Sequence, residues 1–427
     1  MKIQKNSLWS DIFLMSAGTI IAQAINFLIQ PVLTRLVSPE DLGIYTYIVS
    51  MATMIIPIAS LKLDMLIVSE KDENEAQYIT DVCIIICIVI SLIYAFITSI
   101  GYLLPKANAF NRYGLIIFLV PIIVLTNGLR FLFISYNNRY REYKLIASIG
   151  IIREGGKGLI QVISGLVRGG SLGQVIGYAI APVFGITYQT KEYRRRLKER
   201  PNISLSKVKE IVFHTGRKQI LYLVPAQFVN SFSHTLVVLG ISSLYSASAL
   251  GYYSAGTRLL EIPLVFITAN VSKVCYRQIS SLVAERKPIF SVIRRIALVL
   301  FLVSLAGFGL LYLIAPPVSE FVFGNGYYVA GQYMRCLCIM YVVRFVAASF
   351  AGLFTIFNKQ NVELLVYGLF VFAAIACFVL SKVFNLDISS YLWLIAFTYA
   401  AVYGYLLIRY LFICKKYDRG IISLSKE

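Results

Sequence analysis

Residues 145–168 read LIASIGIIREGGKGLIQVISGLVR. The stretch is long enough to cross a bilayer as one helix, yet its middle holds Arg153, Glu154 and Lys157. One such charge at the bilayer centre costs roughly 2.5–3.5 kcal/mol even on the lenient insertion scale. A chain keeps these residues where they meet water, a partner charge or a bound ion. Helical spacing puts Arg153 and Lys157 on one face. Glu154 lies about 100° round from Arg153 and can reach either cation, but it cannot neutralise both. Gly150, Gly155, Gly156 and Gly158 strip side chains from the same turns, so the helix can pack closely or let a ligand approach its backbone. Two readings fit: the cationic wall of a polar cavity inside a membrane protein, or a structural ion-pair network that locks helices together.

The rest of the chain sets the context. Of its 427 residues 58% are hydrophobic and only 14% charged, where soluble domains run near one quarter charged. The apolar residues fill runs of twenty or more instead of a single stripe, which predicts an all-α polytopic membrane protein. A β-barrel would need short alternating strands. The first apolar run continues past Thr34 without a small-residue cleavage site, so it is expected to be a span and not a signal peptide. Hydropathy predicts twelve spans, at about 12–34, 42–69, 79–104, 114–135, 145–167, 171–190, 218–243, 248–270, 292–314, 329–357, 362–383 and 389–412.

Seven cysteines and two histidines, His214 and His234, show no metal-ligand spacing. Packed free thiols, a packing role for His234 and no metal are expected. Gly155-Gly156-Lys157-Gly158 lacks the spacing and strand–loop–helix context of a Walker A loop, and no nucleophile elbow appears. These absences argue against an enzyme: no catalytic residue and no cofactor is expected.

The net charge is +19. With the N-terminus in the cytoplasm, most of the 40 Lys and Arg fall in cytoplasmic segments, so both termini are placed inside. The densest run, KEYRRRLKER over 191–200, is expected to rest against anionic lipid headgroups. Without aromatic interleaving it offers no nucleic-acid site. Residues 277–290 could form a short interfacial helix.

The basic run divides the chain into six spans on each side, giving expected lobes of residues 1–205, with the basic linker, and 206–427. A faint repeat relates them. Ala22-Gln23-Ala24-Ile25-Asn26 matches Ala226-Gln227-Phe228-Val229-Asn230. Leu42-Gly43-Ile44-Tyr45 then matches Leu250-Gly251-Tyr252-Tyr253, with Pro57 and Pro263 following. Corresponding spans share orientation, as in parallel repeats about an axis normal to the membrane.

Seven basic residues lie within spans: Lys62, Arg130, Arg153, Lys157, Arg258, Arg335 and Arg344, against the three acids Asp64, Glu154 and Glu261, a surplus of four. Arg258 and Glu261 are spaced as a local pair. Lys62 and Asp64 sit near a cytoplasmic end where snorkelling is cheap, and Arg130 is placed close to its exit. Arg153, Lys157, Arg335 and Arg344 are harder to satisfy. Gln23, Asn26, Gln227 and Asn230 can line a wet cavity but cannot cancel charge. A cationic surplus in a low-dielectric cavity invites an anion, each close phosphate contact being worth around 4 kcal/mol at an effective dielectric near 20, before desolvation. Glu154, Glu261 and Asp64 are candidates for ion coupling or counter-charge.

The segments Ser16–Asn26 and Leu33–Tyr45, with Leu-Gly-Tyr-Tyr-Ser at 250–254, resemble the opening and second-lobe patterns of the polysaccharide transporter family of oligosaccharide flippases, most closely the O-antigen (Wzx-type) flippases of the multidrug/oligosaccharidyl-lipid/polysaccharide exporter superfamily. The resemblance implies two six-helix lobes around a central cationic cavity. It further implies transfer of a polyprenyl-diphosphate-linked oligosaccharide from the inner to the outer leaflet of a bacterial cytoplasmic membrane, in lipopolysaccharide biosynthesis. Membrane lipids, a polysaccharide polymerase and a chain-length regulator are the implied partners. The family's intramembrane basic residues would fall here on Arg153, Lys157, Arg258, Arg335 and Arg344. An exporter of drugs or small anionic metabolites from the same superfamily, and a non-transporting membrane scaffold, are the alternatives.

Overall fold

Lipid cannot satisfy backbone N–H and C=O groups, so apolar runs of this length close their hydrogen bonds within helices. The computed structural model describes residues 5–104, 108–197, 204–357 and 359–420. Lys2, Lys106, Lys198, Arg200 and Lys426, which the charge map counts, lie outside them. Among the described residues there is no strand.

Two compact units, residues 1–239 and 240–427, divide the chain. The first holds α1 (Lys5–Leu36), α2 (Pro39–Ile55), α3 (Asp64–Ser69), α4 (Glu73–Leu103), α5 (Asn108–Asn111), α6 (Leu119–Arg139), α7 (Tyr143–Leu166), α8 (Gly170–Ile180), α9 (Ile186–Gln189), α10 (Lys191–Leu197) and α11 (Leu205–Glu210). Helix α12 (Val224–Leu244) carries the boundary. The second unit holds α13 (Ala247–Pro263), α14 (Ala269–Ala284), α15 (Phe290–Phe323), α16 (Tyr328–Ser349), α17 (Leu353–Ile356), α18 (Gln360–Val383) and α19 (Ile388–Asp418).

Eleven helical stretches among the described residues are long and apolar enough to cross a membrane. The twelfth expected span is α7. It has the length, at 24 residues, but carries Arg153, Glu154 and Lys157 in its middle. Close contacts hold it within unit 1. A Cβ on Gly158 would stand 2.0 Å from Ile29 Cδ1 of α1, and one on Gly165 would stand 2.9 Å from Leu36 Cβ. Gln161 and Gln174 lock α7 to α8 reciprocally: Gln161 Nε2 donates to the Gln174 carbonyl at 3.0 Å, and Gln174 Nε2 to the Gln161 carbonyl at 2.9 Å.

The two helices that open on the repeated Leu-Gly share a cap and a length. Ser38 accepts from the Asp41 N–H and Ser246 from the Ala249 N–H, each at 3.1 Å, and α2 and α13 are both 17 residues long. They then diverge. Pro57 sits in a tight turn over Ile56–Ile58, and Leu61 and Lys62 turn left-handed, with φ of 50° and 60°, before α3 restarts at Asp64. After Pro263 a wider π turn, Leu264–Thr268, runs straight into α14. Residues 277–284 therefore continue the preceding helix and do not form the separate helix expected over 277–290. Proline removes one backbone donor, and the π turn absorbs that loss without ending the helix.

In unit 2, α15 and α16 meet at Gly331. A Cβ there would lie 2.3 Å from Pro316 Cα and 2.5 Å from the Ala315 carbonyl oxygen. Backbone cannot yield as a side-chain tip can. Gly331→Ala is expected to destabilise the protein by about 1–3 kcal/mol, the usual cost of overpacking, read as a lower melting temperature in detergent. An unchanged melting temperature would show that the helices separate freely.

Candidate functional site

In unit 1 the charges of α7 assemble around one carboxylate. Glu154 forms ion pairs with both Arg153 and Lys157, and Lys157 Nζ donates to Asn26 Oδ1 of α1 at 2.8 Å. Glu154 and Lys157 are buried, at 6% and 7% exposure. Arg130 of α6 and Tyr178 of α8 lie within electrostatic reach of Arg153 and Glu154. Three cations against one carboxylate leave a surplus of two positive charges. Arg130 and Arg153 each also bury a guanidinium Nε with no hydrogen-bond partner. Buried donors are almost always satisfied, so these two are open to a further acceptor.

Arg130 lies nine residues before the end of α6, which continues through Ser135-Tyr136-Asn137-Asn138-Arg139.

In unit 2, Arg344 of α16 is the centre. Its Nη1 lies 3.6 Å from Glu261 Oε1 of α13, its guanidinium stands 5.2 Å from the centre of the Tyr341 ring, and Tyr403 of α19 hydrogen-bonds it. Tyr253 is within electrostatic reach. Glu261, read as the local partner of Arg258, thus faces Arg344 across two helices. Arg258 is half-buried on α13, within reach of Tyr327. A guanidinium framed by phenols offers hydrogen-bond donors and ring faces together, a combination suited to hydroxyl-rich or anionic groups.

Arg335 has a structural task. Pro316 and Pro317 inside α15 lack the N–H groups that would bond the carbonyls four residues back, Tyr312 and Leu313. Arg335 Nε donates to the Tyr312 carbonyl and Nη2 to the Leu313 carbonyl, each at 2.9 Å. These donors satisfy backbone that the double proline orphans. Asp64 is similarly occupied, accepting from Ser60 Oγ at 2.5 Å and Ser135 Oγ at 3.1 Å. Of the four polar residues expected to line a cavity, Asn26 touches the unit 1 cluster, while Gln23, Gln227 and Asn230 are half-buried on α1 and α12. His234 is exposed on α12. All seven cysteines are buried free thiols. Among the described residues no group of three His, Cys, Asp or Glu could hold a metal.

Two described cations of the basic segment pair with acids of the protein. Arg196 of α10 pairs with Glu73 at 2.5 Å and with Glu192 at 2.7 Å, and Lys207 of α11 pairs with Glu75 at 2.8 Å. The expectation that the whole run lies on headgroups gave no weight to the acidic segment 70–75, which meets it. Burial alone would raise the Glu192 carboxyl, but the hydrogen bond from Arg196 and the charges of Arg195 and Arg196 outweigh it and hold the group below the ordinary carboxylate range. The hydrogen bond to Glu75 is the largest cause of the upward shift of Lys207. A lowered acid stabilises the fold above its ordinary value of about 4.3 and loses that contribution as pH falls through the folded value; a raised lysine contributes below about 10.4 and loses it as pH rises through its folded value. The clasp is therefore held at neutral pH and released at both extremes. Spin labels at the exposed positions Asn74 and Ser206 should separate below about pH 4 and in high salt. An unchanged distance would refute the clasp.

Residues 32–331 match the family model described as "Polysaccharide biosynthesis protein". The chain belongs to this family. Comparison with the curated proteins gives no match. Among solved structures, the lipid II flippase MurJ in an inward closed conformation aligns with TM-score 0.69 at 13% identity, covering 95% of this chain and 90% of that one. An inward-facing multidrug resistance MATE family transporter of the MOP superfamily aligns with TM-score 0.63 at 12% identity, covering 94% and 99%. A MOP superfamily transporter from Pyrococcus furiosus, described as having a binding pocket of reverse polarity, gives 0.63 at 12%, covering 96% of each. The chain therefore shares the fold of these MOP superfamily structures, an all-α membrane architecture.

Proposed function

We propose that the protein translocates a polyprenyl-diphosphate-linked oligosaccharide, an O-antigen-type repeat unit, from the inner to the outer leaflet of the bacterial cytoplasmic membrane by alternating access. The observation that carries this reading is the unit 1 cluster: three buried or half-buried cations share one carboxylate, and two guanidinium donors lack partners. Such a site favours a phosphate over a cationic drug. Membership in a polysaccharide biosynthesis family supports a carbohydrate cargo, and likeness to a lipid II flippase supports a lipid-linked one. Arg344 and its tyrosines supply donors and ring faces for sugar. The matched caps and lengths of α2 and α13 support a duplicated unit in the two halves of the chain, and the charge bias supports termini in the cytoplasm. A polymerase and a chain-length regulator are the partners that would take up the delivered unit.

Complementation tests the reading. In cells lacking the gene, the wild-type chain should restore surface glycan, and Arg344→Ala, at equal membrane level, should not. Normal glycan in the deletion strain, with altered drug tolerance, would favour a small-molecule exporter instead.

A further inference from the structure

The clasp has a second consequence, on the other side of α10. At 100° per residue, Lys191, Arg194 and Arg195 fall within an arc of about 100°, and Arg196 lies about 100° beyond Arg195. Arg196 is the residue held by Glu73, and its guanidinium also rests 4.4 Å from the centre of the Tyr140 ring. Fixing Arg196 against α4 and α6 fixes the rotation of α10. The other three cations then turn together into a cavity of about 890 Å³ lined by Asn137, Glu142, Leu145, Tyr188, Lys191, Glu192, Arg194 and Arg195. Its three cations outnumber its two acids, Glu142 and Glu192, and Glu192 is shared between Arg195 and Arg196, the latter outside the cavity lining. Arg194 is steadied by the Thr187 carbonyl at 2.6 Å. Leu145 and Tyr188, the latter 66% exposed, give the same cavity an apolar wall. It opens at the end of unit 1 where charge bias places the cytoplasm.

We propose that this cavity binds the phosphate-bearing headgroup of a membrane lipid, with Lys191, Arg194 and Arg195 on the phosphate and Leu145 and Tyr188 against the first carbons of the tail. The volume is in the range of small-ligand sites, and basic pockets between helices at this depth suit phospholipid headgroups. The chemistry has two sources, a bulk anionic phospholipid or an isoprenoid diphosphate. The proposal does not depend on the transported cargo: a transport-inactive protein would still bind.

The experiment uses the full chain in neutral detergent, titrated separately with phosphatidylglycerol, farnesyl diphosphate and inorganic pyrophosphate and read by native mass spectrometry. Lys191→Ala/Arg194→Ala/Arg195→Ala should weaken lipid-borne phosphate by about a hundredfold, from a roughly fivefold contribution per cation near an anionic surface. The charge-matched control Lys209→Ala/Arg217→Ala/Lys218→Ala, at exposed positions outside the cavity, should bind as wild type. Lys191→Arg/Arg194→Lys/Arg195→Lys should retain binding and guards against a folding defect. Tighter phosphatidylglycerol identifies bulk lipid as the source, and tighter farnesyl diphosphate an isoprenoid carrier; either supports the site. Equal loss in both alanine triples, or pyrophosphate binding as tightly as both lipids, would overturn it.

Discussion

Lys157→Ala is expected to abolish glycan transport while the protein still inserts. Lys157 is the most deeply buried cation of the unit 1 cluster, at 7% exposure; it pairs with Glu154 on its own helix and joins α7 to α1 through Asn26. Removing it lowers the local surplus from two positive charges to one. At an effective dielectric near 20 a close phosphate contact is worth about 4 kcal/mol before desolvation, so binding should weaken by up to about a thousandfold. Folding should suffer less than is usual for a broken buried pair, about 3–5 kcal/mol, because Glu154 keeps Arg153. The check is surface glycan at matched membrane level, with Lys157→Arg restoring part of it. Glycan at the wild-type level in Lys157→Ala would remove the cluster from the transport path.

Arg335→Leu is expected to damage stability before transport. It strips both donors from the Tyr312 and Leu313 carbonyls, and a hydrogen bond to a charged group contributes about 1.5–3 kcal/mol. The melting temperature in detergent should drop sharply. The diagnostic variant restores the missing N–H groups: Pro316→Ala/Pro317→Ala in the Arg335→Leu background should recover most of the loss, since α15 can then close its own ladder. A transport residue would show no such rescue. If the prolines do not rescue, the guanidinium acts elsewhere.

Much of this was legible in the sequence. Long apolar runs gave the all-α membrane class, and GIIREGGKG marked α7 as the helix whose charges need partners. The same charges keep α7 out of the eleven stretches apolar enough to count as spans. Partners across helices were not legible. Helical spacing points Glu261 at Arg258, but packing brings Arg344 to it. Spacing cannot show that Gly331 lets α16 approach the double proline, or that Arg335, one turn on, then reaches two free carbonyls. Arg130 entered the charge count, but spacing on its own helix cannot show that it comes within electrostatic reach of Arg153 and Glu154. The acidic run 70–75 was set aside because acids count little in topology, yet it is what holds the linker.

The most direct measurement is translocation of a purified polyprenyl-diphosphate oligosaccharide in vesicles containing only this protein, with delivery to the far leaflet read by lectin or glycosidase access. The wild type should expose the sugar with time, Lys157→Ala should leave it protected as in empty vesicles, and Arg335→Leu with both prolines replaced should still transport. Equal exposure by the wild type and by empty vesicles, or by the wild type and Lys157→Ala, would contradict the account.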